Sequence, residues 1–316
     1  MSGPVSRAFA AAVAATVTAS VASAGGRLLF RSGFERDTRL VKETSGWIDI
    51  VGTDRSVAPP NDWTKAFRRG GLGSFRFQYA GGDTSQRKVT IERDPNGSPN
   101  RVLRYWMRQV NVSPNASWGG KGRIQANIAG NSSLRDFTYR VRMYFHEDWK
   151  HLRDWNGRMG WFILAEFWNN ANWTREGHPF RIHVTIANDA NSGSSLRFGV
   201  GAQIDDRGWK NVWHKRNGSY AIPLKQWLTA EIHLKEGKGR GGRFYLAVTG
   251  ADGKKSVIFD VRDTTHHPDD RKPDGFRQFN PLKMYTHNRN VKRVRDKGGA
   301  LQIYWDDFEL WTGRAP

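Results

Sequence analysis

The stretch Gly160–Ile186, GWFILAEFWNNANWTREGHPFRIHVTI, contains two runs with the composition of β-strands, separated by a turn-rich interval. Side chains along a strand point alternately to its two faces, so every second residue shares a face. In the first run, Trp161–Trp168, this alternation predicts one face that carries both a carboxylate and an indole. The predicted face comprises Phe162, Leu164, Glu166 and Trp168.

The second run, Phe180–Ile186, alternates more regularly between apolar and polar side chains. Its polar positions are Arg181, His183 and Thr185. A strand with this pattern buries its apolar face in a core and presents the other face to solvent or to a ligand. We therefore expect Arg181 and His183 to lie on an accessible surface.

The rest of the chain has the composition of an all-β protein. From Arg27 onward, short runs rich in Val, Ile, Phe, Tyr and Trp alternate with clusters of Gly, Asn, Asp and Pro. No run shows a sustained helical period, and Lys42–Arg69 is predicted only as a long surface segment. The predicted strands are Leu28–Phe34, Ser74–Tyr79, Val102–Gln109, Gly122–Ile128, Phe137–Phe145, Trp161–Trp168, Phe180–Ala187, Leu196–Gln203, Leu228–Lys235, Arg243–Thr249, Lys255–Val261, Pro281–His287 and Leu301–Trp311.

Residues 1–24 have the pattern of a secretory signal peptide. Arg7 precedes the apolar run Ala8–Val17, and small residues follow up to Ala24. We expect cleavage there, a single exported domain over residues 25–316, and a location that is extracellular or periplasmic. Cysteine is absent, so burial and not disulfide bonding must stabilise this domain. No later stretch approaches the roughly 20 apolar residues of a membrane-spanning helix, so we predict no membrane span, and we expect a monomer.

The charge of the chain indicates a polyanionic partner. There are 50 Lys and Arg against 30 Asp and Glu, which gives a formal net charge of +20. A field of that sign attracts polyanions. For an exported protein this favours an acidic polysaccharide over nucleic acid, and the 14 Trp and 8 Tyr supply flat faces for sugar rings as well as for a core. A basic surface that only aids solubility or adhesion is the alternative.

Several other predicted strands carry polar residues at alternate positions. They are Arg123, Gln125 and Asn127 on one strand, Arg140 and Arg142 on a second, and Lys283, Tyr285 and His287 on a third. If these faces lie side by side, they form a sheet lined with basic, imidazole, phenol and amide groups. A solvated outer face has the same pattern strand by strand, so alternation alone does not say which sheet each strand joins.

At this point the chain resembles a known family. The segments LLFRSGFE (Leu28–Glu35), WFILAEFW, PFRIHVTI, FNPLKMYTH and LQIYWDDFELW (Leu301–Trp311) are similar to those of the concanavalin A-like jelly-roll polysaccharide lyases. The group that contains heparin lyase I and glucuronan lyase is the nearest, with alginate lyases further off. The resemblance implies an all-β fold, a jelly-roll β-sandwich of two antiparallel sheets.

The resemblance also implies β-elimination on a polymer that contains uronic acid. In that family Arg, Gln or Asn neutralises the carboxylate, a His or Tyr removes the C5 proton, and a Tyr protonates the departing oxygen. On this basis Tyr285 is the candidate acid and a candidate base, His183 or His287 the base, and Lys283 an electrostatic support. The predicted substrate contacts are Arg123, Gln125, Asn127, Arg142, Glu166, Trp168 and Arg181.

Two positions depart from the family pattern. Glu166-Phe167-Trp168 stands where these lyases often carry Gln-x-His, and His287 stands where a Tyr is expected. A carboxylate at Glu166 would repel a uronate unless it is protonated or paired with an arginine. Two alternatives therefore stay open: a carbohydrate-binding protein without activity, and a glycoside hydrolase that uses Glu166, although the Glu-x-Asp-x-x-Glu strand motif of jelly-roll glucanases is absent.

No cofactor is required for the predicted catalysis, but the resemblance implies a structural calcium. Glu35 near the start and Asp307 in the closing strand would supply hard oxygen ligands. The alternative is that Asp307 only forms ion pairs with arginines. Finally, Trp149, Trp155 and Trp173 lie in turn-rich segments and are predicted to be platforms for sugar rings.

Overall fold

The computed structural model describes residues 26–42, 47–57, 61–69, 71–78, 85–110, 120–131, 134–169, 177–189, 195–205 and 208–314. The predicted signal peptide and Trp173 lie outside these residues. The described chain is mostly β-strand, with three short helices and two 3-10 turns. The helices are α1 (Trp63–Arg69), α2 (Lys150–Arg153) and α3 (Asn288–Arg295). No helix in the described part of the chain is long and apolar enough to cross a membrane.

The strands are numbered in chain order. They are β1 (Leu28–Ser32), β2 (Arg39–Lys42), β3 (Trp47–Val51), β4 (Thr53–Asp54), β5 (Asn61–Asp62), β6 (Ser74–Gln78), β7 (Arg87–Arg93), β8 (Arg101–Met107), β9 (Lys121–Ala129), β10 (Asp136–Phe145), β11 (Phe162–Asn169), β12 (Phe180–Asn188), β13 (Leu196–Asp205), β14 (Trp209–Arg216), β15 (Trp227–Lys235), β16 (Arg243–Thr249), β17 (Lys255–Val261), β18 (Gln278–Asn280), β19 (Lys283–His287) and β20 (Leu301–Thr312).

These strands form two large antiparallel sheets. Sheet one has the order β17-β16-β15-β10-β20-β8-β7, with β1 also paired to β20. Sheet two has the order β14-β13-β12-β11-β18-β9-β6-β3-β2, and β19 continues the position of β18 between β11 and β9. Neighbouring strands are often distant in the sequence, as in a jelly-roll sandwich. The predicted fold class is confirmed.

The core lies between the two sheets. Apolar residues at alternate positions meet there, as when the ring of Phe137 in β10 lies 5.1 Å from that of Phe279 in β18, measured between centroids. Two core tyrosines of sheet one also reach the break between β18 and β19. Tyr105 donates its hydroxyl to the carbonyl of Leu282, and Tyr139 donates to the carbonyl of Pro281, both at 3.3 Å. Burial raises the pKa of both phenols, so they remain protonated donors.

All thirteen predicted strands coincide with observed strands to within two residues at each end. The prediction of a surface segment over Lys42–Arg69 is wrong. The segment contains β3 and α1, and Trp63 and Phe67 of that helix are 1 % exposed and pack against Phe30. Two aromatic side chains four positions apart on a helix share a face, and this single pair was too short a signal to predict the helix.

Trp149 is also placed differently from the prediction. It is fully buried, and its indole nitrogen donates to the carbonyl of Gln302 at 2.9 Å. It therefore belongs to the core and cannot act as a platform for a sugar ring. Trp155 is partly buried and lies under two guanidinium groups, those of Arg289 at 4.6 Å and Arg293 at 5.4 Å from the ring centroid.

Candidate active site

A β-bulge in β11 determines which side chains face outward from sheet two. Ile163 pairs with Thr185 of β12, but Ala165 pairs with the next residue, Val184. Leu164 is therefore an extra residue, and it reverses the alternation of faces along the strand. The prediction that Phe162, Leu164, Glu166 and Trp168 share one face is therefore wrong. Phe162 and Leu164 lie in the core, whereas Glu166 and Trp168 face outward. The core-facing residues of β11 are Phe162, Leu164, Ala165 and Phe167.

The outward surface of sheet two, called here the polar face, brings most of the predicted site residues together. Residues directly opposite each other on paired strands share a face. Glu166 is opposite His183, and Trp168 is opposite Arg181. On the other side of β11, Lys283 is opposite Gln125, Tyr285 is opposite Arg123, and His287 is opposite Lys121.

Glu166 and two cations form the centre of the polar face. The carboxylate is 2 % exposed; Oε1 accepts a hydrogen bond from Arg181 Nη1 at 2.8 Å, and Oε2 accepts from Lys283 Nζ. Lys283 also donates to Asn280 Oδ1 at 3.0 Å. Arg181 thus supplies the arginine partner that the sequence suggested for this carboxylate.

The ion pairs keep Glu166 charged despite its burial. Burial alone would raise the pKa of this carboxyl group, but Lys283 and Arg181 hold it at about 2. Burial lowers the pKa of Lys283 to about 8, and the attraction of Glu166 opposes that fall. Glu166 has no proton to donate near neutral pH and both of its oxygens are bound. In the glycosidase alternative, which uses Glu166, this carboxylate therefore does not suit the role of proton donor.

The two amides predicted to hold a substrate carboxylate are buried beneath the polar face. Gln125 and Asn127 are 1 % and 2 % exposed. Gln125 Nε2 donates to Asn127 Oδ1 at 2.9 Å and to Gln78 Oε1 at 3.1 Å, and Asn280 Nδ2 donates to Asn127 Oδ1 at 2.7 Å. These bonds already occupy the donors of Gln125. The amides thus hold Asn280, which in turn accepts a hydrogen bond from Lys283. The predicted direct contact with substrate requires Gln125 and Asn127 to give up these hydrogen bonds.

The main pocket of the polar face has a volume of about 470 Å³. Its lining residues are Lys121, Trp161, Ile163, Arg181, His183, Thr185, Gln203, Trp209 and Tyr285. The half-buried Tyr285 of β19 and the buried His183 of β12 thus line one pocket. Two ammonium groups lie beside the phenol ring, Lys283 at 5.1 Å and Lys121 at 5.4 Å from its centroid.

Exposed indoles border this pocket. Only four large hydrophobic side chains of the described residues are well exposed, and two of them are Trp161 at 39 % and Trp209 at 42 %. The guanidinium of Arg181 lies 3.6 Å from the ring centroid of Trp209, and Trp168 packs edge-on against the same indole at 5.7 Å. Trp209 was not predicted, because the apolar residues of the run Trp209–Arg216 do not alternate regularly with polar ones.

His183 is neutral in the folded protein. Burial and the nearby Arg181 lower its pKa to about 3, and its Nδ1 is buried without a hydrogen-bond partner among the described residues. A neutral imidazole in a pocket beside a phenol has the form that a general base needs. A bound uronate would raise this lowered pKa, because a negative charge favours the protonated ring.

This neutral histidine predicts a specific loss of stability in acid. Between pH 6.5 and 3, the unfolded chain binds a proton at His183 that the folded protein does not, so the free energy of unfolding falls as the pH falls. For His183→Gln, we expect the decrease between pH 7.5 and pH 5 to be about 2 kcal/mol smaller than for the unsubstituted protein. Denaturant unfolding at the two pH values measures this.

His178→Gln is the matched control for that measurement, because His178 is a partly buried histidine away from the pocket that packs against His267 at 4.8 Å between centroids. The control measures the effect of removing a histidine outside the pocket. If the free energy of unfolding falls by the same amount between pH 7.5 and pH 5 in His183→Gln, in His178→Gln and in the unsubstituted protein, His183 is not held neutral.

His287 has a different role from the predicted one. Its Nδ1 accepts a hydrogen bond from the backbone N–H of Arg289 at 3.0 Å and so caps the first turn of α3. The neutral ring must then carry its proton on Nε2, which leaves no ring nitrogen ready to accept the C5 proton. The prediction of His287 as the base is therefore not supported by the geometry, whereas His183 keeps this assignment.

Arg142 is wrongly grouped with the substrate contacts. It lies on β10 in sheet one, on the far side of the sandwich from the polar face, and its Nη1 is 3.4 Å from Asp306 Oδ2 and 3.1 Å from Asp307 Oδ2. Arg140 and Arg142 alternate along β10 as Arg123 and Gln125 do along β9. Alternation predicts which residues of a strand share a face. It does not predict which sheet the strand joins, because that depends on pairing with strands that are distant in the sequence.

The predicted calcium ligands line one acidic pocket on the outside of sheet one. Glu35 and Asp307 share it with Asp94, Asp306 and Arg142. Burial and the neighbouring carboxylates raise the pKa of Glu35, and Asp306 has one buried oxygen without a hydrogen-bond partner in the described part of the chain. Yet across those same residues no group of three or more acidic or histidine side chains has the spacing to hold a metal ion. The structural calcium stays a prediction.

No protein-family profile matches the chain, and no curated protein matches it. Solved structures do match. The endo-β-1,4-glucuronan lyase of the fungus Trichoderma reesei is 14 % identical with a TM-score of 0.48, covering 75 % of this chain and 90 % of that chain. An alginate lyase from Aplysia kurodai is 11 % identical with a TM-score of 0.46, covering 75 % and 90 %. The alginate lyase Aly36B is 16 % identical with a TM-score of 0.46, covering 76 % and 88 %. Similarities this low do not assign the chain to a family.

Proposed function

We propose that this protein is a secreted polysaccharide lyase that cleaves a polymer containing uronic acid by β-elimination. The observation that carries the proposal is the pocket in which Tyr285 and His183 meet, with Lys121 and Arg181 in its lining. A candidate base, a candidate acid and positive charge lie together on the polar face. The exposed Trp161 and Trp209 add surfaces on which sugar rings stack.

The proposed reaction follows from these groups. The carboxylate of a uronate residue lies against the guanidinium of Arg123, which is opposite Tyr285 on the neighbouring strand, so the C5 proton becomes more acidic. His183 removes that proton, and the electron pair forms the C4–C5 double bond as the C4–O bond breaks. Tyr285 donates its hydroxyl proton to the departing oxygen. His183 then releases the C5 proton to solvent and Tyr285 takes one up, which restores both groups. Lys283 and Glu166 do not react; they hold Arg181 and β19 in place.

The test is the ultraviolet absorbance of the unsaturated uronate that β-elimination creates. The purified protein should raise this absorbance with at least one of glucuronan, alginate and heparin. His183→Gln should slow the reaction by about 10²–10⁴-fold, the range for general base catalysis, and Tyr220→Phe, a change at a phenol outside the pocket, should not.

Two results would overturn the proposal in favour of a stated alternative. New reducing ends without the absorbance would indicate a hydrolase. Retained binding of these polymers, with neither signal, would indicate a carbohydrate-binding protein that keeps the polar face for recognition alone.

A further inference from the structure

Strand β13 carries no side chain at two successive positions of the polar face. Its outward residues run Arg197, Gly199, Gly201 and Gln203, while Phe198 and Val200 point into the core. Gly201 lies between His183 and His214: a methyl group there would stand 3.1 Å and 3.3 Å from the two rings. A methyl group at Gly199 would likewise stand 2.6 Å from Thr185 Oγ1. The two glycines therefore make room for the side chains of His183, His214 and Thr185 on the polar face.

The main pocket adjoins a second, smaller one on the β12 and β13 side of the polar face. The second pocket has a volume of about 200 Å³, and it shares Thr185 with the main pocket. Its lining residues are Thr185, Ala187, Asn188, Asp189, Arg197, Phe198, Gly199, His214, Arg216 and Asn217. Arg197 is four residues from Gly201 along the strand, which places it about 13 Å from the level of His183.

Arg197 has an unusual environment for an arginine. Its Nε and Nη1 are buried, and neither has a hydrogen-bond partner among the described residues. No carboxylate of those residues forms an ion pair with it, whereas Arg181, on the same face, is bound to both Glu166 and Gln203. A guanidinium that is partly removed from water without a counter-charge is costly. A bound anion in this pocket would supply the missing charge.

Among the neighbouring side chains a second guanidinium favours an anion, while the carboxylate of Asp189, which also lines the pocket, has a contact of its own. Arg216 of β14 is exposed, lies opposite Gly199 and adds a second guanidinium to the pocket. The side chain of Asn188 does not compete for the anion, because it already bonds to the backbone of Trp155, Gly157 and Met159. Guanidinium groups bind carboxylates with paired hydrogen bonds.

We propose that Arg197 and Arg216 form a distal acid-binding subsite, which takes the carboxylate of a second uronic acid residue of the same polymer chain. The chain then runs from this subsite past Thr185, which lines both pockets, to its reacting residue beside His183 and Tyr285. The preferred substrate is therefore a polyuronate, with acid groups on both residues, and not a polymer with isolated uronates. This inference rests on the proposed function for the position of the reacting residue.

The subsite is tested by binding and not by turnover. In a Tyr285→Phe background, which leaves the polymer intact, we would measure the affinity for oligoglucuronates and oligomannuronates of increasing length, from the disaccharide upward. Arg197→Gln should weaken binding of the long oligomers by about 10- to 100-fold, the value of a charged hydrogen-bonded contact, and should change disaccharide binding by less than about twofold. Arg197→Lys should restore part of the affinity.

Arg93→Gln is the matched control, since it removes one exposed arginine from β7 in sheet one. Should Arg197→Gln reduce the yield of folded protein, Arg216→Gln tests the same pocket from an exposed position. Equal losses at every oligomer length would show a general charge effect, and a loss no larger than that of Arg93→Gln would show no subsite; either result overturns the inference. Length-dependent binding through Arg197, in a protein that forms no unsaturated product, would keep the subsite and reject the lyase.

Discussion

Replacing Tyr285 by phenylalanine is expected to lower kcat/KM on a susceptible polyuronate by about 10²–10⁴-fold, the contribution of a positioned general acid. The change removes one hydroxyl and keeps the ring, so the contacts of that ring with Trp161 at 4.7 Å and with Lys283 and Lys121 are kept. Affinity for the polymer should therefore stay within about twofold. Initial rates from the ultraviolet absorbance and equilibrium binding to the same polymer measure the two quantities separately.

Tyr220→Phe provides the matched control. Tyr220 is also half-buried, but it stacks on Phe198, with 6.3 Å between centroids, and it lines neither pocket of the polar face. This variant should react at the unsubstituted rate. A Tyr285→Phe protein that keeps most of its turnover would remove the phenol from the mechanism, and a proportional loss of affinity would assign Tyr285 to binding.

The second large effect concerns stability. Lys283→Met leaves the charge of Glu166 buried with only Arg181 to neutralise it, and Glu166→Gln leaves two buried cations without a counter-charge. Breaking a buried ion pair by removing one partner costs about 3–5 kcal/mol. We expect each single variant to lose this much free energy of unfolding at pH 7, measured in denaturant.

The double variant Lys283→Met/Glu166→Gln should be much less destabilised than the sum of the singles, because no unpaired charge of this pair is left behind. It should still be a poor enzyme, since Arg181 would lose the carboxylate that holds it beside Trp209. Additive losses would show that Lys283 and Glu166 act independently. Arg140→Met is a suitable comparison for the stability of the single variants. Arg140 forms an ion pair with Glu231 at 2.9 Å on sheet one, and its side chain is 23 % exposed.

The sequence was sufficient for the strands and for most of the polar face, because alternation is local. It predicted Arg181, His183, Lys283 and Tyr285 as outward residues, and the structure places all four on one surface. Alternation failed where a single extra residue, Leu164, changed the phase of β11. A bulge depends on how two strands pair, which a strand read alone does not contain.

The other differences have a related cause. Arg142 has the pattern of a site residue but lies on the opposite sheet, because strand order depends on contacts between residues far apart in the sequence. Gln125 and Asn127 have the right residue types, yet their amides bond to each other and to their neighbours. Whether a polar side chain contacts substrate or supports one that does is decided by packing depth, and the sequence pattern is the same in both cases.

The tyrosines that cross the core have an implication for heat inactivation and for engineering. The segment that precedes Lys283 and Tyr285 is held by hydroxyls of Tyr105 and Tyr139, which belong to the opposite layer of the sandwich. We therefore expect loosening between the layers to displace Lys283 and Tyr285 before a strand is lost. Thermal inactivation should begin below the melting temperature, and thermostabilising substitutions that tighten contact between the layers should extend the working range of the protein upward.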